Sequence, residues 1–207
     1  MKKQSGFTLV EIAIVLVIIG LLLGGVLKGQ ELIESAKVKN IAQDFRAVST
    51  AVLTYQDRFR ALPGDDRGAA ARWSGSCSVT GNSNGLIDGA NWNGASGTEP
   101  ACAWEHLRRA NLLTGDAQAQ GGPTHADGGH FGVVSAPSLA AVTNVPGTLI
   151  ICAENIRGRH VVQLDTILDD GDPATGAVRA VAASSTPAAA QSAALNESGS
   201  YNVCMGV

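Results

Sequence analysis

The 207-residue sequence predicts an α+β fold: a long N-terminal helix, half of it apolar enough for a membrane, packed on a small antiparallel sheet with a long glycine-rich loop. Three observations carry this. Apolar residues crowd into the first 27 positions; an apolar stripe at helical spacing then runs to Phe59; short apolar runs separated by Gly, Asn and Ser fill the rest. Composition narrows the class. Charged residues make up only 16% and aromatics 4%, with 25 glycines, which excludes both a charge-extended disordered chain and an aromatic-rich core. A net charge of −3, with no Lys/Arg block in the bulk of the chain, leaves no footprint for nucleic acid.

Phe7 to Leu27 is a run of 21 almost wholly apolar residues, about 31 Å of helix against a bilayer core of roughly 30 Å. Lys2 and Lys3 precede it and Lys28 follows it. The run is longer than the apolar core of a removable secretory signal, and no small-x-small site follows it. It should stay attached, with its basic end on the cytoplasmic side. Glu11 interrupts it one turn in, where an ionised carboxylate costs ~3 kcal/mol or more. Either Glu11 stays wet near the interface, or it exists to find a cation among assembled helices.

No proline occurs between Lys28 and Pro63, so the helix is expected to continue. Val38, Ile41, Phe45, Val48, Val52, Tyr55 and Phe59 alternate spacings of three and four, one apolar face of an amphipathic helix. Phe7 to about Arg60 would make 54 residues, roughly 80 Å long. A helix of that length needs a cover for its stripe, and the following domain is the preferred one over a coiled coil with another chain.

Leu62-Pro63-Gly64-Asp65-Asp66 is turn chemistry that ends the helix, and Ser74 to Gly97 reads as loop. Trp104, Leu107, Leu112 and Leu113 predict a short helix closed by Gly115. Val145 to Ala153 predicts a buried strand, Val161 to Leu168 a helix stopped at Asp169-Asp170-Gly171, and Ser200 to Met205 a last strand. Residues 174 to 194, mostly Ala, Ser and Thr, read as low-complexity extended chain or surface loop.

Lys2-Lys3-Gln4-Ser5-Gly6-Phe7-Thr8-Leu9-Val10-Glu11 resembles the start of type IV prepilins and type II secretion pseudopilins: a short basic leader ending in Gly, then Phe-Thr-Leu, an apolar residue, Glu and an unbroken apolar helix. Leu62-Pro63-Gly64-Asp65, Trp104 with His106-Leu107 and Ala110 to Gly115, and Asp165 with Asp169-Asp170-Gly171 are similar to a subgroup of pilin-like proteins, through weaker motifs. The resemblance implies that a prepilin peptidase cuts between Gly6 and Phe7 and methylates the Phe7 amine, and that Glu11 pairs with the Phe7 amine of a neighbouring subunit. Loss of Lys2 and Lys3 would take the charge from −3 to −5. It implies a leader at 1–6, a membrane and filament-core half at 7–28, an amphipathic half at 29–61 and a head at 62–207. The family often has a proline near Lys28; this chain lacks one, and Gly20, Gly24, Gly25 and Gly29 would be its weak points instead.

The expected role is that of a structural subunit, held single-pass in the inner membrane with a periplasmic head and assembled into a pilus-like filament. Its implied partners are like subunits, the peptidase and an inner-membrane assembly platform. The alternatives are a pseudopilin, a minor pilin with a binding role at the filament tip, and a membrane-anchored enzyme. Against the last, no Gly-x-Ser-x-Gly, His-Glu-x-x-His or phosphate loop is present.

Cys77, Cys102, Cys152 and Cys204 all follow the apolar segment, and outside the cytoplasm they would oxidise. Three pairings exist; Cys77–Cys102, stapling the glycine-rich loop, and Cys152–Cys204, tying the last strand to the sheet, are preferred. With no Cys-x-x-Cys pair, zinc is disfavoured. Asn82-x-Asn84-Gly85 with Asp88 is a poor calcium loop, having Thr80 and Asn91 where carboxylates belong. Asp165, Asp169, Asp170 and Asp172 form a second oxygen-rich cluster, for which the resemblance leaves calcium open; a helix stop and turn is the preferred reading. His125-x-Asp127-x-x-His130, in a glycine-rich loop, lacks the supporting groups that orient metal ligands. No cofactor is expected.

Overall fold

The computed structural model describes residues 8–75, 77, 81–89, 92, 97–136, 145–183 and 195–207. The chain divides into two units, Met1–Lys37 and Val38–Val207. Helix α1, Leu9–Phe59, begins in the first and ends in the second. It is followed by α2 (Ala69–Arg72), α3 (Glu99–Arg109), β1 (Phe131–Ser135), β2 (Leu149–Arg157), α4 (Gly158–Leu168), β3 (Val178–Ala182) and β4 (Ser200–Gly206). The strands form one antiparallel sheet in the order β1-β2-β4-β3. This is the α+β, pilin-like architecture expected: a long helix and a small four-stranded sheet.

In the second unit the predicted stripe is the core. Val38, Ile41, Phe45, Val48, Val52 and Tyr55 are buried, joined by Ala42 and Ala51, which share their face. They pack with Phe131, Val133, Ile151, Ala153, Ala180 and Val203 from one face of the sheet. Successive residues of a strand point to opposite faces, so Val134, Ile150, Cys152, Val181 and Cys204 lie on the other face, under Trp92 and Val145. Both faces being covered explains why β1 and the first half of β2 are apolar without alternation.

Three expectations are corrected. The strand placed at Val145–Ala153 runs instead from Leu149 to Arg157: Pro146-Gly147 turns the chain ahead of it, and a register shift between Ala153 and Ile156 carries it past the polar Glu154-Asn155. The short helix starts earlier, at Glu99 with Pro100 in its first turn, and ends before Leu112 and Leu113. Part of the low-complexity stretch is a strand, β3, paired to β4 from Val178↔Met205 to Ala182↔Tyr201. Residues 184–194 lie outside the described residues.

The turn after α1 does more than stop a helix. Asp65 and Asp66 are 2% and 5% exposed. Asp66 accepts the Tyr55 hydroxyl (2.7 Å) and the Gly68 amide (2.8 Å) and pairs with Arg72. Asp65 accepts the amides of Ser83 and Gly85, which anchors the start of the glycine-rich loop. Burial pushes the Tyr55 hydroxyl up to about 12, with Arg72 opposing, so it remains a donor.

His106 completes this corner. It is 1% exposed, its ring stacks on Tyr55, and its Nδ1 accepts the Gly64 amide at 3.0 Å. Accepting at Nδ1 requires the neutral ring. Burial lowers its pKa to about 4, helped by Arg72 and Arg109 and opposed by Glu105. The unfolded histidine takes its proton near 6.5, so the stability tied to this site is whole above pH 6.5 and lost as pH falls toward 4, about 3 kcal/mol in total. Asp165, raised by burial, contributes an opposite slope, so the effect is read as a difference. His106→Asn keeps an acceptor near Nδ1 and cannot titrate. Its urea-unfolding free energy should fall less between pH 6.5 and 4 than that of the parent protein; parallel curves would refute a neutral buried His106.

Candidate assembly site and acidic loop

From Leu9 onward the first unit is helical, and none of the described residues buries its apolar run. From Leu9 to Ile33 its large apolar side chains are between 46 and 91% exposed, all around the helix. It is long and apolar enough to cross a membrane, and a patch this extensive needs lipid or other helices against it. Lys28 pairs with Glu31 at 2.6 Å beyond the apolar run.

Gly6 and Phe7, the predicted cleavage and methylation residues, lie outside the described residues. Glu11 is described, and its partner is Thr8. Glu11 Oε2 accepts both the Thr8 amide and the Thr8 hydroxyl at 2.8 Å, and Thr8 Oγ1 accepts the Glu11 amide at 3.3 Å. This reciprocal pattern is a capping box, Thr8 before the first helical residue and Glu11 three positions on. The Thr-x-x-Glu spacing is visible in the sequence, and the cap adds a local partner to the two expectations for Glu11, wetting at the interface or a cation among assembled helices. The carboxylate that interrupts the apolar run is therefore hydrogen-bonded inside its own helix start.

In the second unit Cys77 pairs with Cys102 and Cys152 with Cys204. Cys152 and Cys204 stand opposite each other in the β2–β4 register, and Cys102 lies in α3. Closing loops of 25 and 52 residues, each bond is worth roughly 3–4 kcal/mol in the loop-entropy model. Peptide mapping of the non-reduced protein should recover these two linkages; four alkylatable thiols would refute them.

The Asn82–Asp88 loop satisfies itself. Asn82 and Asn84 side chains donate to Asp88, at 3.4 and 2.7 Å, while the Asp88 and Asn82 amides donate to Glu99. The His125–His130 segment is a turn leading into β1 whose side chains diverge. His125 Nε2 bonds the Glu154 carbonyl (2.8 Å), the Asp127 carboxylate holds His160 Nδ1 (2.8 Å) and the Arg157 amide (3.1 Å), and His130 is exposed. Neither segment gathers metal ligands.

The acidic loop after α4 does gather them. One carboxylate oxygen from each of Asp165, Asp169 and Asp170 lies within 4.8 Å of the others. Asp169 accepts the amides of Ala177 and Val178, and Asp170 accepts the Asp172 amide (3.0 Å) and the Thr175 hydroxyl (2.7 Å), the expected turn chemistry. Asp165 differs in being 0% exposed. Burial pushes its pKa up to about 7, with the charges of Asp170 and Asp169 adding and the Gly171 amide opposing.

Residues 1–27 match the family model described as the prokaryotic N-terminal methylation motif. No curated protein and no solved structure matches the chain. The chain thus carries the prepilin-type signature of type IV pilins and pseudopilins at the start of a long apolar helix, followed by an α+β head.

Proposed function

We propose that this chain is a precursor subunit that waits in the inner membrane and polymerises into a type IV pilus-like filament. A prepilin peptidase removes residues 1–6 and methylates the Phe7 amine. The released subunits then bundle their apolar helix halves, with the heads outside. The chain acts as a building element rather than as an enzyme, with no cofactor in that role.

The observation that carries this reading is the apolar half of α1. Over Leu9–Ile33 it exposes large apolar side chains on every side, and Glu11, the one carboxylate within Leu9–Leu27, is held by a local cap. Such a surface suits two environments in turn, lipid before assembly and neighbouring helices after it. The signature at residues 1–27 supports the same order of events, since leader removal is what frees an amine at the helix start.

The test is to shear surface filaments from cells expressing the chain and to measure the mass of the subunit they contain. A subunit lacking residues 1–6 and carrying a methylated Phe7 is expected. A chain that keeps its leader, with nothing recovered in filaments or in a periplasmic fibre, would refute the proposal. If deletion abolishes protein secretion and leaves surface filaments intact, the pseudopilin alternative replaces the pilus. Recovery at trace levels among filaments built of another subunit marks a minor pilin.

A further inference from the structure

The glycine-rich loop carries a chemically weak link, Asn followed by Gly, at Asn84-Gly85. With no side chain on the second residue to obstruct it, its backbone nitrogen can attack the asparagine Cγ. The N–Cγ bond forms as the Cγ–Nδ2 bond breaks, and ammonia leaves with the amide proton. Water then opens the five-membered imide to aspartate or isoaspartate. Both residues are exposed, so water is at hand. The turn nevertheless depends on this pair. Gly85 sits at φ +82°, in the left-handed region that favours glycine. Asn84 Oδ1 accepts the Leu86 amide at 2.9 Å while its Nδ2 donates to Asp88 at 2.7 Å, a combination of acceptor and donor that a side-chain amide supplies.

We propose that Asn84-Gly85 is a latent self-modification site, and that the buried carboxylate of Asp65 holds it shut. The nucleophile is the Gly85 nitrogen, which must shed its proton. That N–H donates to Asp65 Oδ2 at 2.8 Å. Hydrogen bonds to a carboxylate are roughly twice as strong as neutral ones, and the carboxylate's charge opposes the negative charge that attack builds on the nitrogen. Asp65 is itself fixed, since it is buried and its other oxygen accepts the Ser83 amide. The electrophile is held as well: tied to the Leu86 amide and to Asp88, the Asn84 side chain is not free to turn its Cγ toward the nitrogen. The lock matters because the product does not suit the site. Burial raises the pKa of Glu99, the Asp88 and Asn82 amides oppose this, and the charges of Asp65 and Asp88 add to it, so the corner is already crowded with acid. A carboxylate at position 84 would lose the donation to Asp88 and add one more like charge. Isoaspartate would also lengthen the main chain by a carbon.

The test incubates the full chain in detergent micelles in warm, mildly alkaline buffer and follows conversion at Asn84 by peptide mass mapping, with the chain unfolded in urea alongside. Conversion in the folded parent should be about tenfold slower or more, the worth of one hydrogen bond to a charged group. Asp65→Ala removes both acceptor oxygens and should bring Asn84 close to the urea rate. Asn93, in the chain's other Asn-Gly pair and outside the described residues, should keep the parent's rate, which separates a local lock from general loosening. Hydrogen exchange at the Gly85 amide needs no variant and should be slow in the parent. The proposal is overturned if the folded parent converts as fast as the unfolded chain, or if Asp65→Ala converts at the parent's rate. It is equally overturned if Asp65→Ala accelerates both pairs alike, or if the parent's Gly85 amide exchanges as in an unstructured peptide.

Discussion

A chain truncated to begin at Arg60 should fail to fold, while one beginning near residue 30 should be soluble and cooperative. The reason is the reciprocal cover between α1 and the sheet. Val38 to Tyr55 share one core with Phe131, Ile151, Ala153 and Val203, so removing them exposes that face of the sheet as well as Trp104 and Leu107 of α3. Phe45 tests this at one position. It is 0% exposed and meets the Phe131 ring edge-on at 5.0 Å. Phe45→Ala should cost about 3–5 kcal/mol, the range for deleting a buried aromatic and leaving its cavity, of which about 1 kcal/mol is the ring pair. Leu53, on the same helix but 49% exposed, is the control, and Leu53→Ala should stay within about 0.5 kcal/mol. Denaturant unfolding of the three proteins measures the difference. A loss under 1 kcal/mol at Phe45 would mean that the stripe is not the core.

That stripe was legible in the sequence because its 3–4 spacing persists for more than five turns, which no strand can imitate. β1 was not. Phe131-Gly132-Val133-Val134 is short and contains a glycine among other glycines, so it reads as loop. The structure gives the glycine its reason: a Cβ on Gly132 would run into the Trp92 ring and backbone, and Trp92 is 39 positions away along the chain from that strand's start. β3 was hidden by composition, since an edge strand of Val-Arg-Ala-Val-Ala offers little contrast to the Ala-rich residues after it. The sequence presents Asp65 and Asp66 as turn chemistry and Asp165 as one of an oxygen-rich cluster, and since aspartates are usually exposed it gives no sign that all three are buried. Their burial depends on partners or neighbours brought in by the tertiary fold, such as Tyr55, Arg72 and the Ser83 amide for the first two. The N-terminal signature was legible as a motif, and the geometry at Glu11 added the cap from Thr8.

Glu11→Ala should abolish filaments, or shorten them severely, while the membrane-inserted monomer still accumulates. In the single subunit the Glu11 carboxylate is satisfied by the Thr8 amide and hydroxyl, so the acid is tolerated at the start of α1 before any neighbour arrives. Losing that cap costs only about 1 kcal/mol of helix stability, too little to prevent insertion of a run as apolar as Leu9–Leu27. In the proposed filament the balance changes. Bundled helices exclude water, and a free Phe7 amine buried among them has no counter-charge unless a neighbouring Glu11 supplies it. An uncompensated buried charge costs about 3–5 kcal/mol, and a filament repeats that cost at every subunit, so even a few kcal/mol per step shifts growth by orders of magnitude. Gly6→Ile should act a stage earlier, leaving the leader attached and the Phe7 amine unavailable. Thr8→Ala gives the third arm: it removes the local hydroxyl partner of Glu11 but not the carboxylate, so filaments should persist. Sheared filament yield, membrane-fraction abundance and N-terminal mass, measured together, separate the three. Normal filaments from the Glu11→Ala protein, with its leader removed, would reject pairing between subunits as the force that sets their step.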